Sequence, residues 1–182
     1  MMANTQRAPA PYMGHKALVV SSLALALSSA SFLVFRGPIS LVSALLVPSI
    51  LVVFLRKSGR AYEVITYIAL MIMVLLFFQT QVVFAFGYIL LALAFKAFVS
   101  KPGTQVGRRI LQLLLHVVLV ALVLFICIIL TEAVLGVPLH SMMMRMSRQN
   151  PAIYVGILLL EATLVCTVNI LLIKSISARL HA

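Results

Sequence analysis

The chain has 182 residues, of which 64% are hydrophobic and only 9% are charged, and its mean hydropathy is +1.21. Soluble domains contain roughly 45–50% apolar residues, so this composition excludes a soluble enzyme and leaves no stretch for a large aqueous domain. The net charge of +11 comes from fourteen Lys and Arg residues against three Glu. The cations lie mostly in the connections between apolar runs, which is typical of a membrane protein and argues against nucleic acid as the partner.

The first two predicted spans approach the length of about 20 predominantly apolar residues that a transmembrane helix needs. The first covers residues 17–35 and stops at residues 36–38, where an arginine is followed by glycine and proline, a signal for a helix end. The second covers residues 39–55 and ends at the basic turn of residues 56–60.

The next apolar stretch, residues 62–99, is too long for one span, and its only strongly polar interruption is Gln79-Thr80-Gln81. We therefore predict two helices joined by a tight hairpin at that tripeptide. The fifth predicted span covers residues 110–130 and the sixth covers residues 152–173. The sequence thus predicts an all-α integral membrane protein with a bundle of six transmembrane helices.

The basic residues test the six-span prediction, because alternating helices sort the connections onto two sides. With the N-terminus inside, eleven cations fall on the cytoplasmic side, and the three outside are Arg36, Arg145 and Arg148. An excess of Lys and Arg on the cytoplasmic side is the rule for membrane proteins. We therefore expect a multi-pass protein of the bacterial inner membrane. Its transmembrane domain covers residues 17–173, between cytoplasmic tails of residues 1–16 and 174–182.

The connection between the fifth and sixth spans, residues 131–150, is the only one with room for structure of its own. Four of its apolar residues recur at helical spacing, namely Leu139, Met142, Met143 and Met146. Arg145 lies on the other side of this helix, so the pattern predicts a short amphipathic helix that lies on the outer surface of the inner membrane or caps the bundle. Two interpretations stay open: the helix only caps the mouth of the bundle, or its methionines form a gate or a docking surface.

Ionisable groups at membrane depth are costly and indicate candidate functional sites. Glu63 and Glu132 lie at helix ends within reach of water, whereas Glu161 lies roughly 14 Å below the outer surface at 1.5 Å per residue, near the midplane of a ~30 Å hydrocarbon core. One interpretation is a contact for a substrate, a cation or a proton. The other is a structural glutamate hydrogen-bonded to a neighbouring helix, with Thr163 or Thr167 nearby.

Further polar residues lie inside the fifth and sixth spans. His116 and Asn169 have similar depths, so we predict a hydrogen bond across the helix pair, with Gln112 extending the polar strip by one turn; such contacts commonly hold bundles together. His116 and Glu161 differ in depth by about 9 Å, so we expect no serine–histidine–acid site. Because the chain also lacks a cluster of Cys and His, we expect no enzymatic activity, no metal and no cofactor.

The first span carries Ser22, Ala26 and Ala30 at four-residue spacing. Small residues at this interval let helix backbones approach closely, so this face packs inside the bundle or receives a partner subunit. In its outline of six short spans and a longer outer connection, and in the AxxxA motif of residues 26–30, the chain resembles the S-components of energy-coupling-factor transporters. The outline is also similar to the rod-shape-determining membrane protein D family. The S-component resemblance implies that Ala26 and Ala30 face a transmembrane coupling subunit.

Two functional hypotheses follow from these observations. The first is a non-enzymatic subunit that scaffolds or anchors a multi-protein membrane complex, in contact with membrane lipid and with a membrane-protein partner or a second copy. It is based on the scarcity of deep polar groups. The second is a solute-binding or transport subunit for a small molecule, based on Glu161 and on the methionine-rich outer connection.

Overall fold

The structure, a computed structural model, describes residues 14–34, 41–100 and 106–179. Within these ranges the regular elements are all helical. The α-helices are α1 (His15–Val34), α2 (Leu41–Leu55), α3 (Arg60–Phe77), α4 (Val82–Ser100), α5 (Val106–Leu135), α6 (Leu139–Met146) and α7 (Pro151–Arg179). The predicted helix stop at residues 36–38 and the cations Arg7, Arg36 and Lys101 lie outside the described residues.

Five helices in these ranges, α1, α3, α4, α5 and α7, are long and apolar enough to cross a membrane, which indicates a multi-pass membrane protein. The predicted break in residues 62–99 is present, because α3 ends at Phe77 and a 3-10 turn at Gln79–Gln81 precedes α4. The second predicted span corresponds to α2, whose 15 residues rise about 22 Å, less than a ~30 Å hydrocarbon core. α7 continues past the predicted end at Ile173 to Arg179.

The helices pack as a ring in the order α1, α2, α7, α5, α4, α3, and α2 also packs against α4 across the middle. Each helix of the ring therefore has defined neighbours on its buried side. In α1, for example, the residues that face the bundle recur every three or four positions, as expected for one helix face. They are Ala17, Ser21, Ala24, Ser28 and Ser31, and the adjacent Ser29 and Phe32 are buried as well.

α2 is the most completely buried helix of the ring. From Ser43 to Leu55 no side chain is exposed, and Val47 and Leu51 are completely enclosed. α2 packs against α1, α4 and α7, so little of it faces the hydrocarbon of the bilayer and its length does not have to match the bilayer thickness. This explains how a helix shorter than a span fits among five longer ones.

The two ends of the bundle carry different charge. One end, called the basic end below, contains the ends of α2, α4 and α7 and the beginnings of α3 and α5, with the cations Arg56, Arg60, Lys96, Arg109 and Lys174. The opposite end, called the α6 end, contains α6 with Arg145 and the following turn with Arg148. The positions of the polar residues are described relative to these two ends.

Candidate functional site

The polar residues predicted to lie within the membrane do not form one site. Asn169 of α7 is fully buried and is hydrogen-bonded to Ser49 and Ala44 of α2. His116 of α5 instead contacts α4, where its Nε2 lies 3.4 Å from the Ala94 carbonyl oxygen. The predicted hydrogen bond between His116 and Asn169 does not form, because α5 and α7 present these residues to different neighbours.

Asn169 supplies a hydrogen bond that α2 cannot make by itself. Pro48 lies inside α2 and has no N–H, so the carbonyl group four residues earlier, on Ala44, lacks its intrahelical donor. Asn169 Nδ2 donates to that carbonyl at 3.2 Å, and Asn169 Oδ1 accepts from Ser49 Oγ at 2.6 Å. Because an unsatisfied backbone group inside a membrane protein is costly, Asn169 has a structural role: it joins α7 to the proline-containing turn of α2.

His116 and Gln112 lie at the contact between α5 and α4. His116 Nδ1 is 2.7 Å from the carbonyl oxygen of Gln112, and the imidazole packs on Phe98 with ring centroids 4.5 Å apart. In the predicted polar strip, His116 therefore contacts the backbone carbonyl of Gln112 and not its side chain. The Gln112 side chain lines a pocket that also includes Arg109 and Lys174.

Glu161 is half-buried in the middle of α7. The two threonines predicted as its partners are exposed, and Thr163 donates instead to the Leu159 carbonyl of its own helix. Tyr88 of α4, which is almost completely buried, lies within electrostatic range of Glu161. Among the described residues no hydrogen bond or ion pair holds the Glu161 carboxyl group, so it differs from the other two glutamates.

Glu63 is the most buried carboxyl group, although its position near a helix end predicts access to water. The residue is 6% exposed, and its carboxylate accepts hydrogen bonds from Lys96 Nζ at 2.5 Å and from the Tyr67 hydroxyl at 2.8 Å. Glu63 lies in the first turn of α3, where the helix dipole favours an anion. The pair joins residues 33 positions apart, so it depends on the pairing of α3 with α4 and has no local signal in the sequence.

A polar cluster at the α6 end is not evident from the sequence. Glu132, near the end of α5, accepts the Ser141 hydroxyl at 2.5 Å and the Ser141 N–H at 3.0 Å, so it satisfies donors in the first turn of α6. His140 Nδ1 lies 3.3 Å from the hydroxyl oxygen of Tyr154 on α7, and both rings pack edge-on against Phe125. The cluster connects α5, α6 and α7. A glutamate nine residues before Ser141 indicates a contact with the first turn of α6 only when the start of α6 is already known.

α6 forms where the amphipathic pattern predicts a helix, but its methionines are divided between two sides. Leu139 is buried and Met143 packs against the core. Met142 is 55% exposed and Met146 is 78% exposed, and Arg145 is exposed as well. Of the methionines predicted to cover the bundle, only Met143 does so, because the hydrogen bonds at the first turn of α6 set the rotation of the helix.

The small-residue face predicted on α1 points away from the bundle. Ser22, Ala26 and Ala30 are all exposed, whereas the contacts with α2 and α3 involve the separate stripe of buried Ala and Ser residues described above. α1 therefore has two faces that permit close helix approach, and the described bundle uses one. The interpretation that the first face packs inside the bundle does not hold for the described residues.

Neither a metal site in the described residues nor a known relative assigns a function to the chain. In the described part of the chain, no group of three or more His, Cys, Asp or Glu side chains is arranged to hold a metal ion. The cysteines Cys127 and Cys166 are buried and free. Comparisons with protein-family models, with curated proteins and with solved structures find no match to this chain. A proposal for function therefore depends on the geometry.

Proposed function

We propose that this chain is a non-enzymatic subunit that anchors or scaffolds a multi-protein membrane complex, and that it binds its partner through the exposed face of α1. The exposed stripe of Ser22, Ala26 and Ala30 carries the proposal. The membrane is the bacterial inner membrane, α2 counts as the sixth span, and both termini are cytoplasmic. The concentration of described cations at the basic end supports this orientation.

The chemistry of this face favours a transmembrane helix of another protein as the partner. Lipid tails are as apolar as leucine, so small residues give the isolated bundle no advantage on a lipid-facing surface. They do allow a second helix to approach closely, which increases van der Waals contact between the helices. Leu18 on one side and Leu23 and Leu27 on the other are exposed and flank the stripe. The face carries no charge, which suits a helix inside the bilayer.

The test replaces small residues of the α1 face by leucine and measures the mass of the complex after mild extraction. We expect Ala26→Leu and Ala30→Leu to release the chain from a larger assembly, because the added side chains prevent close helix approach. Thr167→Leu is the matched control, since Thr167 is exposed on α7 and lies outside the stripe. A chain that is extracted without any partner, or an assembly that contains only copies of this chain, would contradict the proposal.

A second candidate function, a solute-binding or transport subunit resembling an S-component, is favoured by Glu161. This half-buried carboxyl group without a hydrogen bond to the described residues is available for a cationic ligand. The test is the thermal unfolding of the purified protein with Na⁺, K⁺, Mg²⁺ or tetramethylammonium. A cation that stabilises the wild type and the Thr163→Val control, but not Glu161→Gln, would support this function. Equal responses of all three proteins would exclude Glu161 as the binding group.

A further inference from the structure

The short helix α6 carries most of the thioether groups among the described residues. Its eight residues are Leu-His-Ser-Met-Met-Met-Arg-Met, so half of them are methionines. Elsewhere in the described ranges methionine occurs only in α3, at positions 71 and 73. Methionine in a protein core fills irregular gaps, but Met142 is 55% exposed and Met146 is 78% exposed. Packing inside the bundle therefore does not account for these two side chains.

Three of the four methionines lie next to one another on α6. Residues three and four positions apart are neighbours on a helix, with about 5–6 Å between their Cβ atoms. Met146 follows Met142 by four positions and Met143 by three, so the three side chains form a triangle, called the methionine triangle below. A methionine side chain has three rotatable bonds, so the three sulfur atoms can converge on one point. Met144 lies about half a turn away from Met142 and Met146, on the opposite side of α6.

The backbone that carries the methionine triangle is held at both ends of α6. In the first turn, Ser141 donates its N–H and its hydroxyl group to the Glu132 carboxylate of α5. At the other end, the Ser147 N–H donates to the Met143 carbonyl oxygen at 3.0 Å. Ligand groups on a backbone that is already ordered lose less conformational entropy when they bind. The triangle is therefore preorganised at the level of the backbone.

The chemistry of the methionine triangle favours a soft monovalent cation. Thioether sulfur is uncharged and selects Cu(I), whereas carboxylate, carbonyl and water oxygens suit Mg²⁺ and Ca²⁺. Arg145 is exposed beside the triangle, and its charge repels a divalent cation more strongly than a monovalent one. The prediction that the chain binds no metal is based on Cys and His ligands, and a thioether site requires neither of them.

We propose that Met142, Met143 and Met146 form a binding site for Cu(I), with their three sulfur atoms as the ligands. Met143 is half-buried and packs against the core, so the site lies at the border between the packed and the exposed sides of α6. This inference goes beyond the proposed function. The site is separate from the exposed face of α1 and from Glu161, so the outcome of its test does not depend on either.

The test titrates silver(I) into the purified full-length protein and follows the isotopically labelled methionine ε-methyl groups by nuclear magnetic resonance. Silver(I) has the charge and the sulfur preference of Cu(I), and it is not oxidised in air. We expect the signals of Met142, Met143 and Met146 to shift together and to saturate, while those of the two α3 methionines stay unchanged. The methyl signals separate this site from the two free cysteine thiols, which also bind silver.

Three leucine variants test the assignment of the ligands, because exchange of methionine for leucine nearly conserves the side-chain volume. Loss of a group that only orients a metal ligand weakens binding about tenfold or more, so Met142→Leu and Met146→Leu should each weaken silver binding at least as much. Met144→Leu is the matched control on the opposite side of the same helix, and it should keep the affinity. Met142 and Met146 are exposed, so their variants should keep the unfolding midpoint of the metal-free protein.

Two results would overturn the proposal. One is an equal loss of affinity in all three leucine variants, or methyl signals of Met142 and Met146 that do not respond to silver, because either result removes the methionine triangle as the site. The other is the same set of shifts with Zn²⁺ or Mg²⁺ at equal concentration, because a site made of thioether sulfur should discriminate against these ions.

Discussion

Replacement of Asn169 by leucine tests whether Asn169 compensates for Pro48. Leucine has the same branching and the same number of side-chain heavy atoms as asparagine, so the substitution removes hydrogen bonds without leaving a cavity. It leaves the Ala44 carbonyl and the Ser49 hydroxyl without their interhelical partner, 3.2 and 2.6 Å away in the wild type. One hydrogen bond between transmembrane helices contributes about 0.6 kcal/mol on average and at most about 1.7. Two such bonds predict a loss of roughly 1–3 kcal/mol in the free energy of unfolding.

A second substitution, Pro48→Ala, identifies the mechanism. Alanine restores an N–H four residues after Ala44, so that carbonyl regains an intrahelical donor. In this background the bond to Ser49 is the one interhelical bond whose loss under Asn169→Leu is not compensated, and the cost of the substitution should fall by about half. The double-mutant cycle should therefore show a coupling of roughly 0.5–1.5 kcal/mol between positions 48 and 169.

The assay is reversible unfolding in mixed micelles with increasing dodecyl sulfate, followed by far-ultraviolet circular dichroism. Thr167→Leu on the same helix is the control, and as an exposed substitution it should change the free energy of unfolding by less than about 0.5 kcal/mol. If Asn169→Leu costs no more than this control, or if the effects of Asn169→Leu and Pro48→Ala add within about 0.3 kcal/mol, the reasoning is refuted.

Three other substitutions test packing and the α6 contact. Gly87→Ala should lower the stability by about 1–3 kcal/mol, because the added Cβ would lie 2.5 Å from Cys127 Sγ; Cys127→Ala should recover most of this loss in thermal unfolding. Ala24→Leu should lower the unfolding midpoint, since Ala24 is fully buried, whereas Ala26→Leu should not, and equal midpoints would contradict the assignment of two α1 faces. Glu132→Ala removes both bonds to the first turn of α6 and should speed amide hydrogen exchange there, while unchanged exchange would show that the carboxylate does not hold α6.

Much of the helix pattern is predictable from the sequence because it depends on contiguous residues. The hairpin at Gln79–Gln81 and the short helix Leu139–Met146 both occur where polarity and helical periodicity indicate them. The short α2 is less evident, because the length of an apolar run does not show whether protein or lipid surrounds it. Its burial from Ser43 to Leu55 comes from packing against α1, α4 and α7.

The candidate polar site is less predictable, because it depends on how each helix is rotated about its axis. Ser22 and Ser21 are adjacent in sequence, yet Ser22 is exposed and Ser21 is buried against the bundle. His116 and Asn169 are predicted to lie at similar depths in the membrane, but a similar depth does not make two residues neighbours. Their actual partners, on α4 and on α2, follow from the ring order of the helices.

The sequence by itself determines that this chain has the composition of a multi-pass membrane protein, where most of its helices begin and end, and how its cations are distributed along the chain. The reason is that helix length and apolarity are properties of neighbouring residues. The tertiary structure decides which face of α1 remains unused and which donor reaches the carbonyl group freed by Pro48. Asn169 lies 125 residues from Ala44, and only the packing of α7 against α2 brings the two together.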